Sequence, residues 1–132
     1  MNPVRNLFAP ALCHTDQEVF ETLLQTSDFL LERILSEGHA TPEGRWLNQD
    51  QDEWVLLLEG AAALRIEGQR DPIVLRPGDY VLLAAHQKHR VEWTARDKTT
   101  YWLAIHFPSP GPQSTTTEFG TTQNGTSGSE SV

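Results

Sequence analysis

Two histidines and three carboxylates carry most of the chemistry this chain offers. His86 and His89 are separated by two residues, in Ala84-Ala85-His86-Gln87-Lys88-His89. In a turn entering a strand, that spacing lets both imidazoles address one point. Upstream, Asp50, Asp52 and Glu53 lie close together in the sequence. Two imidazoles and a carboxylate form a recognised ligand set for Fe(II), Mn, Ni or Zn. The blander assignment makes His86 a polar turn residue and His89 an interior histidine hydrogen-bonded to Glu53. It leaves the remaining acidic residues as a solvated rim. His106 is the third histidine to weigh. In a strand, Trp102, Ala104 and His106 share one face, and Tyr101, Leu103 and Ile105 the other. Both orientations stay open, and the expectation taken is a surface histidine. His14 and His39 lie in poorly patterned segments and are expected in solvent.

The elements that must position these groups are mostly strands. Short apolar segments recur at Phe29–Leu35, Glu53–Leu58, Ala61–Glu67, Ile73–Arg76, Tyr80–Ala84, His89–Thr94 and Thr100–Phe107. Turn residues separate them, notably Gly60, Gly68 to Pro72 and Pro77-Gly78-Asp79. No long helical pattern lies between them, which argues against βαβ units and for a sandwich or small barrel. One short helix is predicted before them. Thr15-Asp16-Gln17-Glu18 reads as a capping box, with Val19, Phe20, Leu23 and Leu24 at helical spacing. The segment from 108 to 132 is rich in Pro, Gly, Ser and Thr and is expected to be a disordered tail. The expected organisation is therefore an N-terminal segment (1–28), a barrel (29–107) and a tail (108–132).

Glu53, then Gly60, then Pro77-Gly78-Asp79 and His89 resemble the two-motif pattern of the cupins. The likeness spans about Phe29 to Phe107 and is closest to small single-domain, RmlC-like members. Similar members share stretches like Trp46-Leu47-Asn48-Gln49-Asp50-Gln51-Asp52-Glu53-Trp54-Val55 and His86-Gln87-Lys88-His89-Arg90-Val91. The resemblance implies an all-β, cupin/jelly-roll β-barrel. It also implies that Glu53 and His89 stand side by side at a metal-binding mouth, with His86 and Asp50 available to complete the ligand set. Family members carry a His-x-His before the Glu. Here those positions fall on Trp46 and Asn48 with one gap length, or on Leu47 and Gln49 with the other. In the second motif Ala84 and His86 stand where the family often has Pro and Gly. Trp93 shares a strand face with His89 and Val91 and is expected to line the barrel. Trp46, Asn48 and Trp93 would then shape a pocket for a small organic ligand. Trp54 and Trp102 are expected as core filling.

Composition bounds the partners. The chain has 132 residues, ten Lys and Arg against eighteen Asp and Glu, and a formal net charge of −8. That length makes one domain. That charge argues against a nucleic-acid binder, which needs clustered Lys and Arg. Apolar runs such as Trp54–Leu58 fall far below the ~18 residues of a membrane span. Cys13 is the single cysteine, so no intrachain disulfide forms. No signal peptide is evident, and a cytoplasmic protein is expected. Trp54–Leu58 and Tyr80–Ala85 are apolar on both faces, which predicts a homodimer. Three function classes follow. The first is a divalent-metal cupin acting on a small molecule as oxygenase, isomerase or lyase. The second is a metal-free cupin that binds or senses a small ligand. The third is an RmlC-like sugar-nucleotide epimerase, with His89 and Asp50 or Glu53 as its base dyad.

Overall fold

A computed structural model describes residues 2–10 and 17–110. Eight strands follow one another: β1 (Val19–Gln25), β2 (Leu30–Ser36), β3 (Asp52–Glu59), β4 (Ala62–Ile66), β5 (Ile73–Leu75), β6 (Tyr80–Leu83), β7 (His89–Thr94) and β8 (Thr100–Phe107). They form a five-stranded sheet in the order β1-β2-β8-β3-β6 and a three-stranded sheet in the order β5-β4-β7. All pairings are antiparallel. Ile34, Val55, Leu57, Leu64, Ile66, Leu83, Val91 and Trp102 meet between the sheets as the core. Period-two patterning explains the layering. Along β8, Trp102, Ala104 and His106 are buried, while Tyr101, Leu103 and Ile105 are partly exposed. β2 adds Glu32, Ile34 and Ser36 to the same inner face, because Glu32 pairs with Ala104 and Ile34 with Trp102.

The expected all-β jelly roll is therefore found, but its N-terminal helix is not. Val19–Gln25 is strand β1, hydrogen-bonded along β2 from Val19↔Leu35 to Gln25↔Leu30. Half-buried Val19, Glu21 and Leu23 alternate with exposed Phe20, Thr22 and Leu24. Two physical causes favour the strand. An isolated helix this short is marginal in water. Without β1, β2 would be a long unpaired sheet edge, and Val, Phe and Thr suit a strand. Thr15 and Asp16 of the expected capping box lie outside the described residues, as does the tail from 111 onward.

Chain reversals take the expected residues. In Arg76-Pro77-Gly78-Asp79 the Asp79 amide donates to the Arg76 carbonyl at 2.9 Å, and Gly78 has φ 94°. This is the type II turn that Pro followed by Gly predicts. Gly60 carries the chain from β3 in one sheet to β4 in the other at φ 95°. It also lies against β8: a Cβ there would meet Thr100 Oγ1 at 2.3 Å and Thr100 Cα at 2.7 Å.

Candidate functional site

Gln49, Glu53, His89 and His106 are buried toward one end of the barrel, and Ser36, Thr94 and Thr100 toward the other. Glu53 on β3 pairs with His106 on β8, and both side chains point inward with exposures of 0% and 2%. Glu32 reaches them diagonally from β2. His106 Nε2 lies 3.0 Å from Glu32 Oε1 and 3.9 Å from Glu53 Oε2. Burial by itself pulls the His106 pKa down, but the hydrogen bond to Glu32 and the negative fields of Glu53 and Glu32 outweigh it. The net shift is upward, toward the protonated imidazole.

The smaller sheet contributes His89, which is 1% exposed on β7 opposite Ile66. Leu47 bridges to it by two backbone hydrogen bonds of 2.7 and 3.1 Å. His89 Nδ1 lies 3.2 Å from the Gln87 carbonyl, which fixes it as the donor nitrogen. Nε2 is then an acceptor facing the interior, and it has no protein partner among the described residues. Burial lowers the His89 pKa, and the bond to Gln87 only partly opposes that. Two residues beyond Leu47, Gln49 is 2% exposed, and neither atom of its side-chain amide has a partner among the described residues.

A tight turn closes this end. Asp52 Oδ1 accepts the Ala85 amide at 2.9 Å, and the Gln49 carbonyl accepts the His86 amide at 2.6 Å. Gln87 Oε1 accepts the Ala84 amide at 3.1 Å. Burial raises the Asp52 pKa against the lowering effect of the Ala85 hydrogen bond. His86 takes φ 63°, the left-handed conformation in which glycine is favoured.

The cupin-domain family model matches residues 34–106. The chain belongs to the cupin family. A crystal structure from Ralstonia eutropha JMP134, of a candidate mannose-6-phosphate isomerase, is 42% identical with a TM-score of 0.76. The match covers 80% of this chain and 98% of that one. A cupin superfamily protein of Desulfitobacterium hafniense DCB-2 is 18% identical with a TM-score of 0.59, covering 74% and 83% of the two chains. The polyketide cyclase of Streptomyces resistomycificus is 17% identical with a TM-score of 0.64, covering 81% and 79%. These last two show likeness of fold alone. No curated protein matches the chain.

Against the cupin register, the expected site residues separate into two groups. Glu53 and His89 are buried within the barrel. His86, Asp50 and Asn48 are exposed, and Trp46 is half-buried. His86 occupies the family's glycine position, and its left-handed backbone belongs to the turn. Trp93 does not line the barrel and is 43% exposed. The cause is a bulge: Ala63 pairs with Trp93 but Leu64 with Val91, so Glu92 is an extra residue. The bulge reverses the alternation, and Thr94 turns inward in place of Trp93. His106, expected at the surface, faces the interior instead. Among the described residues, no group of three or more His, Cys, Asp or Glu is arranged to hold a metal ion. The expected set of Glu53, His86, His89 and Asp50 thus does not fit a divalent ion. Sequence reasoning missed Glu32 and the inward turn of His106. Trp102 and Ala104 carried the signal for His106, since a buried Trp fixes the parity of the whole strand. Glu32 gave a weaker one, as a charge on the face of β2 that also carries Ile34.

Proposed function

We propose that this cupin binds a small polar molecule inside its barrel and recognises it through Gln49, Glu53, His89 and His106 rather than through a resident metal. The observation that carries this is the buried amide of Gln49, whose donor and acceptor find no partner among the described residues. A buried polar group left without a partner costs about 1–3 kcal/mol. Gln49, together with His89 Nε2, accounts for several such groups at one end of the barrel. A ligand bearing both donors and acceptors satisfies them together. Thermal-shift and calorimetric screening of the full chain against small polar metabolites tests this. Saturable binding by the wild type, lost in Gln49→Leu, is expected. Elemental analysis of untagged protein runs beside it, and one tightly held divalent ion per chain would return the metal-dependent reading.

A second reading is isomerisation of a sugar, and the Ralstonia relative favours it. The chain offers a buried carboxylate, Glu53, beside an imidazole, His106, whose pKa is raised. Such a pair moves a proton between adjacent carbons, the carboxylate as base and the imidazolium as acid. Interconversion of mannose 6-phosphate and fructose 6-phosphate, assayed with wild type and Glu53→Gln, decides it. An epimerase acting through a His89–Asp50 dyad is not favoured, because Asp50 lies in solvent. We further propose that the chain is a cytoplasmic homodimer.

A further inference from the structure

The interior site sets two carboxylates against one imidazole. His106 Nε2 stands 3.0 Å from Glu32 Oε1 and 3.9 Å from Glu53 Oε2. With both carboxylates ionised, the three groups together carry negative charge whether the imidazole is protonated or neutral. No positive side chain inside the barrel offsets them. All ten Lys and Arg residues fall within the described segments, and of these Arg33 alone is buried. Arg33 points away from the interior, to the opposite face of β2, where it binds Glu21 and the carbonyls of Leu7 and Ala9. Arg65 and Arg90 are held by Glu92 on the outer side of the smaller sheet.

At the same barrel end, where the Gln49 carbonyl takes the His86 amide and Asp52 takes the Ala85 amide, Gln49 presents an amide donor and an amide acceptor, and His89 presents an acceptor at Nε2. A hydroxyl group both donates and accepts, so a run of hydroxyls satisfies carboxylates, amide and imidazole at once. A phosphate presents acceptor oxygens and added negative charge, and needs the Arg or Lys that this interior lacks. We propose that the site takes an uncharged polyhydroxylated molecule, of the free-sugar or sugar-alcohol class, and discriminates against its phosphorylated form. The inference rests on the interior-ligand reading above and narrows it. Discrimination arises largely from the unfavourable partner rather than from added attraction to the favoured one.

Calorimetry on the full chain at neutral pH, after dialysis against a chelator, tests the proposal with four probes: D-mannose, D-mannitol, myo-inositol and D-mannose 6-phosphate. At least one neutral probe should bind saturably. Mannose 6-phosphate should bind about tenfold more weakly than mannose, or weaker still, as like charges in a partly desolvated site require. Glu32→Gln removes one of the charges and should narrow that gap several-fold, with folding followed by circular dichroism. Mannose 6-phosphate binding as tightly as mannose would overturn the charge-based inference and leave the interior-ligand reading standing. So would an unchanged gap in folded Glu32→Gln. Absence of binding by all four probes would remove both.

Discussion

His89 and His106 occupy one barrel end, but burial dominates at His89 while Glu32 and Glu53 outweigh it at His106, so their effects on stability run in opposite directions with pH. His106 has a folded pKa above its ordinary 6.5. Its contribution is fully present below that value and is lost as pH rises through the higher folded value. The advantage of wild type over His106→Gln should therefore shrink above neutrality. His89 has a folded pKa below 6.5, so the unfolded chain takes up its proton first on acidification. The advantage of wild type over His89→Gln should shrink as pH falls below 6.5. Chemical denaturation of the three proteins across pH 5 to 8.5 checks both, and slopes of the same sign would contradict the two environments described. Gly60 and Gly78 allow a comparison of the same kind. Both have φ near 95°, but only Gly60 lies against another strand. Gly78→Ala carries the left-handed strain alone, about 1–2 kcal/mol. Gly60→Ala adds a clash with the Thr100 backbone and should cost about 2–5 kcal/mol, or prevent folding. Equal melting temperatures for the two variants would show that β8 yields at Thr100. The turn at Gly78 was legible in the sequence because Pro-Gly chemistry is local. The demand at Gly60 was not, because Thr100 lies far along the chain.

At the scale of the element, the strands from β2 to β8 were legible because short apolar runs were bounded by turn residues at each. Two failures share one cause: a neighbouring strand decided what the local pattern left open. The apolar residues of β1 also fit a helical spacing, and pairing with β2 settles the matter. Strict alternation places Trp93 in the interior, and one extra residue at Glu92 turns it outward. Another long-range device secures the larger sheet. Arg33, buried on the outer face of β2, joins three pieces of chain. Its guanidinium lies 2.6 Å from Glu21 on β1 and donates to the carbonyls of Leu7 and Ala9. Phe8 packs on Tyr101 of β8, with ring centroids 5.6 Å apart. Arg33 thus latches residues 7–9 onto the sheet. Arg33→Ala strips several hydrogen bonds at once, those to the carbonyls of half-buried Leu7 and exposed Ala9 among them, a loss of about 1–3 kcal/mol. Glu21 is more exposed than Arg33, so Glu21→Ala should cost under about 1 kcal/mol. Limited proteolysis should cut within residues 2–10 faster in Arg33→Ala than in wild type or Glu21→Ala.

At the scale of the whole molecule, an apolar surface is left uncovered by the described residues. On the outer face of the five-stranded sheet, Trp54, Leu56, Leu82 and Ile105 are only partly buried, and Tyr80 is 65% exposed. The indole of Trp54 lies against Tyr80 with ring centroids 5.2 Å apart. This outer face explains why β3 and β6 read as apolar on both sides: the inward residues build the core, and the outward ones form a second, unburied layer. Residues 7–9 cover the neighbouring part of the sheet near Arg33 and Tyr101, but not this part. Contiguous apolar patches on monomers seldom exceed about 300–600 Å², and larger ones mark contact surfaces. A second copy meeting this face across a two-fold axis would bury Trp54 and Tyr80 against their equivalents, and aromatic residues are enriched at such interfaces. Light scattering at micromolar concentration should therefore return twice the chain mass. Tyr80→Glu places a charge at the exposed end of the patch without touching the interior. It should give a folded monomer whose ligand binding matches that of wild type. A wild-type monomer would refute the dimer. A Tyr80→Glu dimer would move the interface to another face, the exposed Phe20 and Leu24 of edge strand β1 being the next to test.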